Sequence, residues 1–474
     1  MAWHETQQKG VFSRPIGENE AYIKLVGDSG LPLNREHWAI NATATIIPTG
    51  TFASTDAASR FPTAWAHLRF QHPSLAAEVS PDGANLTYIV PATTAALETW
   101  VSQTFSVAST AHSSTDVIPT FKPTPHAKLV YIPQSHELLL HSTHWRTDGL
   151  GVLLLLDALL ALASTPNPPT SSLPWGTEPA RLTPSIEVAA SIPLTPTAEQ
   201  KARAAELVST FAHVAGGVGL PCLGSAGTGP GGTRSAAVVF SAEATEGVVR
   251  ACKVRGVSVT AAVHASVAGA NYELADPDGY GGKGEEEKRH YASTIRFGLR
   301  PFLAEPFSGG GGAAGLYTTG WMKRVEARDG WGGWVREFGE EYRGGVTRGF
   351  LDAHREYAVQ LGELLRGLGG KEGAGEEGEG GVRMPSDVDI SSIGVAEKLV
   401  KRFYGSEEAG FEVRAVGVGV EILSRQGVTF VWTFRDQLNL SVVYNEAFHS
   451  AEQMNLFVNT VKSQLLKGLS LQDD

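Results

Sequence analysis

Cysteine is nearly absent: 474 residues contain only Cys222 and Cys252. They form no CxxC pair, which gives no disulfide frame and no cysteine zinc site and fits a reducing compartment. Positive charge is also short, and the formal net charge is −11. That balance argues against the broad basic face nucleic-acid binding needs, so no nucleic-acid partner is expected. No apolar run reaches the roughly 18 residues of a membrane span; residues 150–164 come nearest and are broken by Asp157. The first ten residues are polar and lack the apolar core of a secretion signal. No membrane partner is expected, and the expected location is cytoplasmic. Two catalytic signatures are missing as well. There is no Gly-x-Ser-x-Gly, which argues against a serine hydrolase. The glycine run 224–232 lacks the Gly-Lys-Ser/Thr ending of a phosphate loop.

What the chain does have is the balance of a globular protein, 42% apolar and 19% charged. Its length is too great for one ordinary core, so two lobes are expected. Residues 215–233 are too rich in glycine for helix or strand. The boundary is placed there: an N-terminal lobe 1–214, a Gly-rich crossover linker 215–233 and a C-terminal lobe 234–474. Residues 165–196, rich in Pro, Ser and Thr, read as an extended connection over the surface. Residues 277–288 read as a charged insert and 308–315 as a flexible segment. Gly and Glu dominate 367–381, where disorder is expected.

Both halves mix strands with helices. Alternating apolar residues predict a strand over 37–47 and a hairpin from 128–133 and 137–143. Helical spacing predicts helices over 53–71, 93–105 and 150–164. Thr197 is the expected N-cap of a helix running to 214. In the second half, strands are expected over 235–241, 290–299, 316–325, 387–393, 412–423, 429–435 and 438–445. Helices are expected over 242–256, 258–275, 331–365 and 450–469. The fold class is α/β with mixed sheets.

The chemical centre is sought where an apolar strand meets an apolar helix, at His144-Trp-Arg-Thr-Asp148-Gly149. A base placed between a buried strand and a buried helix has its rotamer fixed from both sides. A neutral imidazole there can take a proton from a nucleophile and hand it to a leaving group. Gly149 is expected to permit the sharp reversal into the helix. The same residues also fit a purely structural reading, a strand-end histidine followed by Asp148 as helix N-cap. His141 and His144 do not suggest a metal: three apart on a strand, they point to opposite faces, and no further ligands stand nearby.

His144-Trp-Arg-Thr-Asp148-Gly149 matches the HxxxDG signature of the CoA-dependent acyltransferase superfamily. Other stretches agree with it in order and spacing. Residues 65–75, ending His72-Pro73-Ser-Leu75, resemble the early helix of condensation-type proteins. Residues 256–265 resemble the helix start of their second lobe. Ser391-Ser392-Ile393-Gly394 resembles their Ser-x-x-Gly segment, and 440–450 their ending. The chain is most similar to stand-alone fungal O-acyltransferases of the trichothecene O-acetyltransferase type. The resemblance implies two chloramphenicol-acetyltransferase-like lobes with an active-site channel between them. It gives His144 the role of base and Asp148 a structural role through an arginine of the second lobe, for which Arg300 is the candidate. Ser391 or Ser392 is the candidate support for an oxyanion. It implies acyl-CoA, most simply acetyl-CoA, as co-substrate, a hydrophobic small-molecule hydroxyl as acceptor, and no bound cofactor or metal. Two departures stand out. Thr143 replaces the second histidine of condensation domains, which favours acyl transfer over carrier-protein-dependent condensation or cyclisation, the alternative reading. The plant-type Asp-Phe-Gly-Trp-Gly motif is missing, so the CoA contacts are not assignable to residues.

Overall fold

The computed structural model describes residues 2–54, 57–166, 168–225, 227–276, 289–372 and 384–472. The chain divides into two compact units, each assembled from separate stretches. The first takes Met1–Thr195, Gly298–Thr318 and Ala396–Glu421; the second takes Pro196–Phe297, Thr319–Val395 and Ile422–Asp474.

The first unit is built on a six-stranded mixed sheet in the order Phe403–Ser406, Ala409–Val420, Ile40–Gly50, Glu137–Ser142, Lys128–Ile132, Phe105–Val107. Only the last pairing is parallel. In the central strand Ala42, Ala44 and Ile46 are fully buried, while Thr43, Thr45 and Ile47 are half-buried, the period-two pattern of a strand covered mainly on one face. Pro48 cannot donate a ladder bond. It is tolerated because pairing with Glu137–Ser142 has ended by Thr45, leaving Ala409–Val420 as the only neighbour. The helix Gly149–Ser164 packs on Phe61–Gln71 and across Ile40–Gly50 and Ala409–Val420. Its Val152, Leu155, Leu156, Leu159 and Leu160 are fully buried, so tertiary packing holds it more than its own propensity does. A small sheet of His4–Glu5, Val11–Pro15, Asn85–Ile89 and Glu78–Val79 completes the unit.

The second unit has a four-stranded sheet in the order Val388–Val395, Gly427–Phe434, Gln437–Asn445, Thr233–Val239, with the first pairing parallel. Val259–Glu273 packs against Ala451–Gly468 and Gly330–Gly344. Every residue of it from Ala261 to Asn271 is buried, so the helix is covered all round rather than on one face. His290–Gly298 and Thr318–Glu326 form a separate two-stranded ladder.

Several expectations differ from the structure. The first stretch of the first unit ends at Thr195, not in the glycine-rich stretch. Thr197 does cap Ala198–Ser209, but that helix packs on Arg348–Glu372 in the second unit. The described residues of 215–232 lie in no helix or strand. They are stitched to the second unit by Val218 N–H to His290 O, Leu220 N–H to Ser386 O and Leu223 N–H to Phe448 O, at 2.8, 3.0 and 2.8 Å. Residues 165–196 are not a surface connection throughout, since Glu178, Leu182, Thr183, Ile186 and Glu187 are buried. In 308–315 the expected flexible segment contains a short helix, Gly310–Gly312, and buried Ala313 and Ala314. The helix Arg348–Glu372 continues into the stretch expected to be disordered; residues 373–381 of that stretch, and the charged insert 277–288, lie outside the described residues.

Candidate active site

The strand Glu137–Ser142 still carries His141, whose Nδ1 lies 2.8 Å from Asn41 Oδ1 and whose ring stacks on Phe121 at 3.9 Å between centroids. Burial, helped by Lys128 and Arg146, pushes the His141 pKa down to about 3. It is a neutral core histidine at any ordinary pH.

His144 sits on the turn beyond the strand and is half-buried. Its Nδ1 is 3.1 Å from the Thr147 carbonyl. A carbonyl can only accept, so Nδ1 carries the proton of the neutral ring and the lone pair is on Nε2. The turn is pinned from behind by Arg146, which is 2% exposed. Its guanidinium donates to the carbonyls of Ser74, Ala77 and Pro125 and to the hydroxyls of Ser142 and Thr143, at 2.6 to 3.3 Å. Burial lowers its pKa to about 10, against the pull of Glu36 and Glu78. Thr143, where condensation domains carry a second histidine, is thus an acceptor for this buried cation.

Asp148 makes the reversal. Its backbone is extended, at φ −117 and ψ −179, and its Oδ1 accepts from the Leu150 and Gly151 amides at 3.1 and 2.8 Å. The same carboxylate meets Arg300 Nη1 at 2.8 Å from Oδ1 and 2.9 Å from Oδ2, and Tyr317 N–H at 2.8 Å from Oδ2. The N-cap and the ion pair are therefore one arrangement. Arg300 was expected from the second lobe; the segment Gly298–Thr318 that carries it folds with the first unit. Arg300 Nη2 donates to Gly312 O at 3.1 Å, and Thr147 Oγ1 donates to Ala313 O at 2.7 Å. The supposedly loose stretch 308–315 is a cradle of carbonyls under the turn.

Gly149 is already the first residue of the helix, so its backbone is right-handed and the left-handed freedom of glycine is not what the turn uses. The position that needs glycine is Gly151. A Cβ there would stand 2.4 Å from Ala313 O, 2.5 Å from Thr147 Oγ1 and 2.8 Å from Arg300 Nη2. Sequence reasoning missed Arg146, Thr147, Gly151 and Tyr317. An arginine inside an apolar strand–helix junction was the one signal for the first. Ser391 and Ser392 lie in the second unit on Val388–Val395, where Ser392 Oγ is 3.1 Å from Thr260 Oγ1. Among the described residues no group of three His, Cys, Asp or Glu side chains is placed to hold a metal ion. None of their helices is long and apolar enough to cross a membrane.

No protein-family model matches the chain. It is 40% identical to the acetyltransferase pigO of Monascus ruber, over its whole length and 99% of that protein. It is 30% identical over its whole length to the O-acetyltransferase pigM of the same organism, covering 88% of it. The chain belongs to this family of fungal acetyltransferases. It is an O-acyltransferase, as the HxxxDG resemblance implies. This acyltransferase also superimposes on trichothecene 15-O-acetyltransferase TRI3 from Fusarium sporotrichioides with a TM-score of 0.80, at 18% identity over 98% of each chain. At that identity the likeness shows the fold, the mixed α/β condensation-type fold read from the sequence.

Proposed function

We propose that this O-acyltransferase moves an acetyl group from acetyl-CoA to a hydroxyl of a hydrophobic secondary metabolite, with His144 as general base. The observation that carries this reading is the Nδ1 contact of His144 with Thr147 O, on a turn locked by Asp148 and Arg300. It leaves the Nε2 lone pair as the proton acceptor. In the step proposed, Nε2 takes the proton of the acceptor hydroxyl as its oxygen attacks the thioester carbonyl. The tetrahedral intermediate expels the CoA thiolate, which takes the proton back from the imidazolium. The new ester and the free thiol leave, and the chain returns unchanged. No acyl-enzyme is needed, since holding both substrates in register supplies much of the rate. Asp148, Gly149 and Arg300 position the turn and touch no reacting atom in this scheme.

The test is incubation of the protein with acetyl-CoA and a metabolite extract of the source organism, followed by mass spectrometry. A product heavier by one acetyl group, formed with release of free CoA thiol, is expected. His144→Ala should lower its formation by about two to four orders of magnitude, the usual contribution of a positioned base. An unchanged rate in that variant removes His144 from the mechanism.

A further inference from the structure

A cavity of about 860 Å³ lies wholly within the second unit, inside the size range of roughly 300–1,000 Å³ typical of small-molecule sites. Among the described residues its lining includes Arg255, Arg336, Arg343 and Lys467, and no carboxylate. In a chain of net charge −11 this is a local inversion of sign. Four cations brought around one hollow repel one another, and an anion placed among them relieves that repulsion.

The second observation is the platform between them. Trp331 lines the same cavity and is partly exposed. Its Nε1 donates to Ser266 Oγ at 2.9 Å. Its ring lies so close over Gly468 that a Cβ there would come within 2.3 Å of it. The indole is therefore fixed before any ligand arrives, so little ordering remains to be done on binding. A fixed aromatic plane suits the flat face of a base, and guanidinium forks suit phosphate oxygens.

We propose that this cavity is a nucleotide site, with the base against Trp331 and at least two phosphates among Arg255, Arg336, Arg343 and Lys467. The nucleotide is either part of the acyl donor or a free nucleotide acting as effector; the chemistry recognised is the same. Only the donor case rests on the proposed function.

The test is isothermal titration of the full chain with adenosine 3′,5′-bisphosphate, adenosine and inorganic phosphate. The bisphosphate should bind saturably at one site, more weakly as salt is raised. Adenosine and phosphate alone should bind at least about tenfold more weakly, as should the bisphosphate to Arg343→Glu and to Lys467→Glu, both exposed side chains. Trp331→Phe, which keeps an aromatic plane, should bind better than Trp331→Ala, with thermal unfolding confirming that both are folded. His144→Ala should bind the bisphosphate like the wild type. If acetyl-CoA competes with the bisphosphate and Arg343→Glu raises only the KM for acetyl-CoA, the nucleotide belongs to the donor. If turnover keeps its KM for acetyl-CoA while the bisphosphate is bound, the site takes a free nucleotide. No saturable binding to the wild type overturns the proposal, as does wild-type binding by both charge-reversed variants. So does an acidic protein that occupies the cavity where the bisphosphate does not. Loss of acetyl transfer as an activity would overturn the proposed function and leave the binding result standing.

Discussion

Asp148 accepts two helix amides, one nitrogen of Arg300 across both oxygens, and the Tyr317 amide. Both members of the ion pair are below a tenth exposed, at 3% and 6%. Burying such charges is costly, and removing one partner leaves the other uncompensated, at about 3–5 kcal/mol. Arg300→Ala should therefore lower the unfolding free energy by about that much in guanidinium denaturation. Arg300→Lys should recover only part of it, because an ammonium cannot meet the carboxylate and the Gly312 carbonyl in one plane. A loss below about 1 kcal/mol in Arg300→Ala would show that the pair does not hold the turn. That His144, Asp148 and Gly149 share one strand-to-helix turn was legible in the sequence because their spacing is local, although the glycine freedom expected at Gly149 is not used. Arg300 was reachable only through family resemblance. Arg146, Thr147 and Tyr317 were not legible, since what defines them is a hydrogen bond to a partner far along the chain.

Elements made of glycine show why composition misleads. Residues 215–233 were read as a linker and 308–315 as flexible, yet both are held in place. Glycine content reports which backbone conformations are affordable, not whether the amides and carbonyls find partners. In 308–315 the carbonyls of Gly312 and Ala313 are the partners of Arg300 and Thr147. The end of Arg348–Glu372 errs the other way. Extending a helix already nucleated adds a bond per residue fixed, so the helix runs through Gly367 where an isolated segment would not form it. Most strands and helices with clear period were placed to within a few residues, because burial on one face writes that period directly; the helix expected over 53–71 is an exception and begins only at Phe61. The element carrying the turn can be tested at Gly151. Gly151→Ala forces a methyl against the Ala313 carbonyl, which is backbone and cannot rotate away. A loss of about 1–3 kcal/mol is expected from such overpacking. Gly149→Ala, at a right-handed helical position, is the comparison. Equal stability of Gly151→Ala and the wild type would contradict the close approach.

At the scale of the whole molecule, the lobes expected from composition and the compact units differ in which pieces of chain they contain. Hydrophobic period identifies strands but not which strands pair across hundreds of residues. The central strand Ile40–Gly50 has Ala409–Val420 beside it along its whole length. A fragment 1–214, the N-terminal lobe as the glycine-rich stretch would define it, lacks that neighbour. It also lacks Arg300 and the carbonyls of Gly312 and Ala313. Ile40–Gly50 would become a long edge with unpaired backbone groups, and Ala42, Ala44 and Ile46 would lose part of their cover. Asp148 would sit in an apolar turn with only the helix amides left. Its residues 196–214 would carry a helix whose packing partner, Arg348–Glu372, is gone. Such a fragment should show no cooperative unfolding transition by circular dichroism and calorimetry, and should aggregate through the open edge. A cooperative transition in fragment 1–214, with slow amide exchange along residues 40–50, would show that the strand finds its order without the later chain. The sheet would then be a local assembly, and the division of the chain into interleaved units would lose its energetic meaning.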